Sequence, residues 1–348
     1  MTKNIRSSNY ELMRIIAMFL IVMYHIYLHS FQGQFLNSAL SPNKIIAASL
    51  GAWGILGVDL FVLISAFFLI DSKFKTARIL RLYICVVFYY FIFGIFAEGV
   101  SIKLFVRALL IPFLNEYWFV QAFILMLLFT PFMNKFINKN PTSVLFKLIC
   151  LLFVTVSIYH TVYTSASIGK WAVFVLLYFL GGVIKRSNYI VRLLSNSSVV
   201  AIVVLAIYSI VLLATIMISY NNSYIPIYKS LIGKYSPLMI VLAAIIFVRL
   251  SQTHMHSAII NQLGSCVLGV YIISEHPFLH NYVYQEWNIL CINHSCAHFF
   301  VLFIIYSVVI FVTTSLIEYI RVILFKPIHK AIEDSCFVKK IDCYINAI

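Results

Sequence analysis

From Leu12 to Ile320 the chain is a succession of apolar runs of helical length joined by short, mostly basic loops. About twenty apolar residues in a helix, rising 1.5 Å each, span the hydrocarbon of a bilayer. Ten such runs are expected to do so, at about 12–29, 46–70, 79–97, 117–134, 144–160, 168–184, 198–219, 237–250, 264–283 and 298–320. The composition agrees: 63% of residues are hydrophobic and 10% charged, where a soluble domain has about a quarter charged. The expected fold is therefore all-α, a polytopic membrane bundle of about ten helices. No long polar segment suggests a second domain, so residues 1–325 are expected to form the membrane unit and 326–348 a basic, amphipathic tail on the cytoplasmic face. The first run is too long for a signal peptide and no small-residue cleavage site follows it.

The net charge of +14 does not imply nucleic acid, because the basic residues collect in short loops, as topology demands. With the N-terminus in the cytoplasm, 19 of the 25 Lys and Arg residues fall on the inner side, and an even number of spans places both termini there. Only Lys44, Lys103, Arg107, Lys170, Lys229 and Lys234 fall outside. Of the seven cysteines, Cys85, Cys150 and Cys266 read as small core residues. Cys291 and Cys296 share a loop in which a disulfide is possible if it faces an oxidising compartment.

Ionisable groups inside apolar runs are costly and tend to be used. On the first run, NYELMRIIAMFLIVMYHIYLHS, Glu11 and Arg14 are three residues apart and share a helix face. His25 follows Arg14 by eleven residues, about three turns, so it returns to within roughly 20° of that face, about 16 Å further along. Either His25 is merely hydrogen-bonded within the bundle or it carries chemistry. Asp59, in GVDLFVLISAF, reads equally as a buried structural carboxylate or a partner for such a histidine. Glu116 starts a helix, where the helix dipole explains it. In DSKFKTARILRLY, Lys73 and Lys75 follow the topology rule, while Arg78 and Arg81 project from one helix face at the membrane edge. Two guanidiniums there form a fork for phosphate oxygens. Glu275, His276 and Pro277, inside the ninth run, suggest a polar pocket opened by the proline. Neighbouring helical residues point about 100° apart, so one of the two acids and bases faces that pocket, and Glu275 is the choice. No cluster has metal-ligand spacing: His254 and His256 lack a third ligand, and His294 and His298 with the loop cysteines do not complete one.

Together these stretches resemble the acyltransferase 3 family of membrane O-acyltransferases. YELMRIIAMFLIVMYH is similar to its first helix, with Glu11, Arg14 and His25 at the family spacing. GVDLFVLISAFFL is similar to its second, with Ala66 in place of the usual glycine. Arg78 and Arg81 match its Arg-x-x-Arg motif, and EYWFVQAFILMLLFTPFMN and LGVYIISEHPFL resemble later helices. The first helix looks most like those of capsule and exopolysaccharide O-acetyltransferases. The resemblance implies a cytoplasmic acyl donor, acetyl-CoA, and as acceptor a hydroxyl of a surface polysaccharide or lipid-linked glycan, in a bacterial cytoplasmic membrane. It implies that Arg78 and Arg81, with Arg14 and Lys75, hold the donor, that Glu11 pairs with Arg14, and that His25 is the base or transient acyl carrier. Glu275 or Asp59 would orient the imidazole. No metal is implied. The rival reading is a transporter or flippase for a glycan precursor, since intramembrane charges also mark transport paths; a polymerase is disfavoured because no outer loop exceeds about twenty residues.

Overall fold

The computed structural model describes residues 7–31, 41–163, 169–221, 233–285 and 294–347. Those residues are helical almost throughout, and the described part of each expected span except the ninth falls on helical structure. In chain order these are α1 (Ser8–Ile26), α2 (Pro42–Gly51), α3 (Gly54–Leu69), α4 (Thr76–Glu98), α5 (Ile102–Leu110), α6 (Trp118–Lys139), α7 (Thr142–Leu152), α8 (Trp171–Arg186), α9 (Asn188–Ser195), α10 (Ser198–Asn221), α11 (Pro237–Ser251), α12 (Ala258–Ser274), α13 (Pro277–Leu279), α14 (Cys296–Leu324), α15 (Lys326–Asp334) and α16 (Cys336–Ala347). Six helical stretches among the described residues are long and apolar enough to cross a bilayer by themselves, seven if α8 and α9, bent by 101°, count as one. The chain is a polytopic membrane bundle.

At the centre α1 packs between α3 and α12. The approach to α3 is close because Gly57 has no side chain: a Cβ there would collide with the carbonyl of Ala17. Ala66, the departure from the family pattern, is fully buried facing Gly181 of α8, where a Cβ on Gly181 would come within 3.3 Å of it. On α12, Gly264 leaves room for the side chain of Glu11, and Gly269 leaves room for Glu318 of α14. Small residues thus let acidic side chains sit between helices. The start of α1 is tied down by Ser8 N donating to Met255 O at 3.0 Å and Asn9 Nδ2 donating to Leu250 O at 2.9 Å.

The ninth span differs from expectation. Its helix runs from Ala258 to Ser274 rather than from 264 to 283. Pro277 supplies the reason: it lacks an N–H and excludes the helical conformation from the residue before it. His276 is accordingly extended (φ −70°, ψ 124°) and Pro277 begins a new short helix. The carbonyls freed at the break are not left bare. Tyr117 donates to Ile272 O at 3.2 Å and Tyr284 to Ser274 O at 2.7 Å. A second correction concerns Cys150, which is exposed on the outside of the bundle, whereas Cys85 and Cys266 are buried. Cys291 lies outside the described residues, so the loop disulfide is not addressed.

The tail is two amphipathic helices folded under α4. Thr76 N and Oγ1 both donate to Asp342 Oδ1 at 2.6 Å. Asn346 brackets the backbone of Phe74, accepting from its N–H at 2.9 Å and donating to its carbonyl at 3.0 Å.

Candidate active site

Two cavities open beside α1, and each takes one of its ionisable groups. The first, about 490 Å³, is lined by Arg14, Arg78, Arg81 and Arg321 together with Glu318 and His329. Arg14 is held by Glu11 at 2.9 Å and lies over the ring of Phe68. Arg78 donates to Ser72 Oγ at 3.0 Å and to Lys73 O at 3.3 Å. Arg81 is bonded to Glu333 of the tail helix α15. Arg321 is gripped by Glu318 through two parallel bonds, Nε to Oε2 and Nη2 to Oε1, both 2.7 Å. Tyr89 donates to the same carboxylate at 2.8 Å. Arg321 and Glu318 are both buried, and Arg321 Nη1 has no hydrogen-bond partner among the described residues. A fork anchored on one side and unsatisfied on the other is a ready acceptor site for an anion. His329, on the tail, is made harder to protonate by partial burial and by the nearby Arg321 and Arg81.

The second cavity, about 580 Å³, is lined by His25 and Glu275, with aromatic walls from Tyr24, Trp118 and Tyr271 and a cation, Lys234. His25 is 4% exposed and does not face lipid. Its Nε2 lies 3.2 Å from Glu275 Oε2, and its Nδ1 lies 3.1 Å from Ser274 Oγ. The break after Ser274 makes this possible: Glu275 caps α12 and swings toward α1, while His276 turns the opposite way. His276 is fully buried, packed on Tyr90 and Phe93 of α4, and its Nδ1 accepts from Phe278 N.

Two further histidines surround Glu275. α1 continues as a wider π turn over Tyr27–Phe31, and this brings His29 Nε2 to 2.9 Å from Glu275 Oε2. His280 stacks on His29 with ring centroids 3.7 Å apart. The donor atoms of His29, Glu275 and His280 all lie within 4.8 Å of one another, a two-nitrogen, one-oxygen set that could hold a borderline divalent cation. Sequence spacing gave no sign of it, because the three residues lie 246 and 5 positions apart.

The cavities share no lining residue. Between them stands Phe119, 2% exposed, stacked on Phe123 of the arginine cavity at 5.7 Å and tilted against Tyr271 of the histidine cavity at 5.2 Å. Phe119 thus touches the lining of both cavities.

The structure therefore brings His25 and Glu275 together, and Arg14, Arg78 and Arg81 together, but keeps the two groups apart. It leaves two expected residues out. Lys75 is exposed ahead of α4 and does not line the arginine cavity. Asp59 makes no hydrogen bond or ion pair with His25; it is buried beside a small crevice it shares with Lys170 and Lys234. Asp59 lies beside Val173 and Phe174 of α8, so of the two expected carboxylates it is Glu275 that lies against His25. Glu116 pairs with Arg107 at 2.9 Å, in keeping with a structural role. Glu318, Arg321, His29 and His280 were missed. The signals were present, since Glu318 and Arg321 repeat the three-residue spacing of Glu11 and Arg14, and His29 follows His25 by one turn.

Residues 8–319 match the acyltransferase 3 family, described as an acyltransferase domain. That is most of the chain. It belongs to the acyltransferase 3 family. No curated protein and no solved structure matches it. As a member of this family the chain is a membrane acyltransferase, and the matched residues take in both cavities apart from Arg321 and the tail. An acyl donor is implied, and the arginine cavity fits a phosphorylated one: four guanidiniums converge on it and one of them is buried with a nitrogen unsatisfied.

Proposed function

We propose that this acyltransferase moves an acyl group, acetyl by family resemblance, from cytoplasmic acyl-CoA to a hydroxyl of a surface or exported glycan, in a bacterial cytoplasmic membrane. One observation carries the reading: a buried His25–Glu275 pair lines one cavity and a cluster of arginines lines another, with Arg14 of that cluster on the same helix as His25, about three turns away. The positive-inside pattern puts the arginines on the cytoplasmic side. The donor supplies an acyl thioester; everything else is done by the chain.

Arg78, Arg81, Arg14 and Arg321 hold the phosphates, each guanidinium offering forked, charge-assisted bonds. His25 acts as the base. With Glu275 ionised, Nε2 carries the proton donated to the carboxylate, which leaves Nδ1 as the lone-pair nitrogen beside Ser274. Nδ1 takes the proton of the attacking sugar hydroxyl and returns it to the departing thiolate. Glu275 stabilises the imidazolium in between, as a carboxylate does in a hydrolytic triad. The aromatic layer keeps water from running between the two cavities, and Phe119 must give way for a thioester on an extended arm to reach the imidazole.

A pair of opposed cavities closed off by an aromatic layer also suits a transporter. Mass spectrometry of the surface glycan from wild-type and deletion strains separates the two. Loss of an acyl ester on a glycan of normal length and abundance supports acyl transfer. A normal ester content with less exported polymer would overturn it in favour of transport.

A further inference from the structure

Between Glu116 and Glu275 the sequence holds no Asp or Glu at all, although this stretch supplies Trp118, Leu212, Lys234, Tyr235 and Tyr271 to the lining of the histidine cavity. Two cations sit at this corner: Lys234, just ahead of α11, lines that cavity, and Lys170, which opens α8, lines the small crevice beside it, where the two lysines meet. Both stand over the indole of Trp118, with Nζ at 5.6 Å and 4.2 Å from the ring. Neither forms an ion pair with a carboxylate among the described residues.

Such an arrangement is unfavourable in isolation. Two ammonium groups carry only donors, so neither can satisfy the other, and like charges brought over one indole repel. The cation–π contacts with Trp118 return about 0.5–2 kcal/mol each, which does not replace an anion. Burial and the neighbouring Lys170 push the ordinary value of Lys234 down to about 8. The other charged groups facing this corner are Asp59, whose buried Oδ2 has no hydrogen-bond partner among the described residues, and Glu275, which is occupied by His25 and His29. The segments 164–168 and 222–232 hold no acid in their sequence, and Glu286 lies outside the described residues.

We infer that the acceptor carries a negative charge: Lys170 and Lys234 bind a carboxylate or phosphate on the glycan whose hydroxyl is presented to His25. Trp118, Tyr24 and Tyr271 provide flat apolar faces for a sugar ring, and the lysine pair fixes its orientation. The site distinguishes an acidic sugar, or one next to a phosphodiester, from its neutral counterpart. The specificity part rests on the acyltransferase reading; the anion site does not.

The test uses the full chain in nanodiscs and three probes: trigalacturonate, its carboxyl-reduced neutral counterpart, and glucose 1-phosphate. Calorimetric binding should favour a charged probe over the neutral one by about tenfold or more. Whichever anion binds better identifies carboxylate or phosphate as the natural group. Lys170→Gln and Lys234→Gln should each erase most of that preference, while the melting temperature stays the same or rises, because a repulsion is removed. Equal affinity for charged and neutral probes, or a preference untouched by both substitutions, overturns the inference. Acyl transfer followed in the same preparation separates it from the broader reading. Transfer to neutral and acidic acceptors alike, with no charge preference, sinks the anion site and keeps the enzyme. A lysine-dependent charge preference with no transfer to any hydroxyl keeps the site and sinks the enzyme.

Discussion

The two cavities beside α1 are built on opposite electrostatic plans. In the arginine cavity three of the four guanidiniums are matched: Glu11 holds Arg14, Glu318 holds Arg321, and Glu333 holds Arg81 at the half-exposed rim. Carboxylates there aim the guanidiniums and leave their outer nitrogens for a ligand. In the histidine cavity the charges are unbalanced. One carboxylate serves His25 and His29, and Lys234, with Lys170 over the same indole, makes no ion pair among the described residues although the buried Asp59 shares their crevice. A matched site keeps its shape when empty and suits a donor of fixed structure. An unmatched site is completed by its ligand, and so reports the charge of that ligand.

The sharpest way to break the comparison is to remove its reactive member. His25→Ala should abolish acyl transfer, a loss of at least about 10²–10⁴-fold for a positioned base, with donor binding to the arginine cavity unchanged. Glu275→Gln should follow closely and Asp59→Asn should not. If Asp59→Asn is the more damaging of the two, the orienting role has been given to the wrong carboxylate. Acyl ester on the glycan, normalised to protein level, measures all three.

On the other side, Arg321→Ala should raise the donor KM by about tenfold, the cost of one charge-assisted bond of about 1.5–3 kcal/mol, with kcat little changed. Arg321→Lys should recover part of this, because a point charge cannot fork. A fall in kcat with no change in KM would place Arg321 outside the donor site. Between the cavities, Phe119→Trp should slow transfer while leaving the affinity for each ligand alone; if binding of either ligand falls, Phe119 is a wall and not a partition.

Smaller effects attach to pH and to the tail. Lys234 loses its proton near pH 8, so affinity for an anionic acceptor should fall as pH rises through 8. The stability of the empty protein moves in the opposite sense. The unfolded lysine holds its proton to a higher pH than the folded one, so the unfolded state binds more protons above pH 8, and this group's contribution to stability increases with pH there. Smallest of all, Glu333→Gln removes a half-exposed ion pair worth less than about 1 kcal/mol and should shift donor KM by no more than a few-fold.

The sequence made the bundle legible because hydrocarbon leaves a chain few alternatives, and the spacing of Glu11, Arg14 and His25 pointed to groups that the structure places at the two cavities. Long-range pairing was less accessible. That Glu275 and not Asp59 meets His25 depends on Pro277 breaking α12 early and turning the carboxylate sideways, a tertiary consequence no spacing expresses. Arg321, Lys170 and Lys234 were read as topology charges, and by position they are. Only packing shows that one is forked onto Glu318 and that the other two share a crevice. His29 came within reach of Glu275 because α1 widens at its end, and sequence does not say where a helix loosens.

The account turns on division of labour across the aromatic layer, with donor on the arginine side and acceptor on the histidine side. Proteoliposomes of known orientation, given labelled acyl-CoA on the arginine side alone and glycan on the other, test it directly. Label should reach the distant glycan with the wild-type protein and not with His25→Ala. Equal labelling with His25→Ala, or transfer only when donor and glycan share one side, would contradict it.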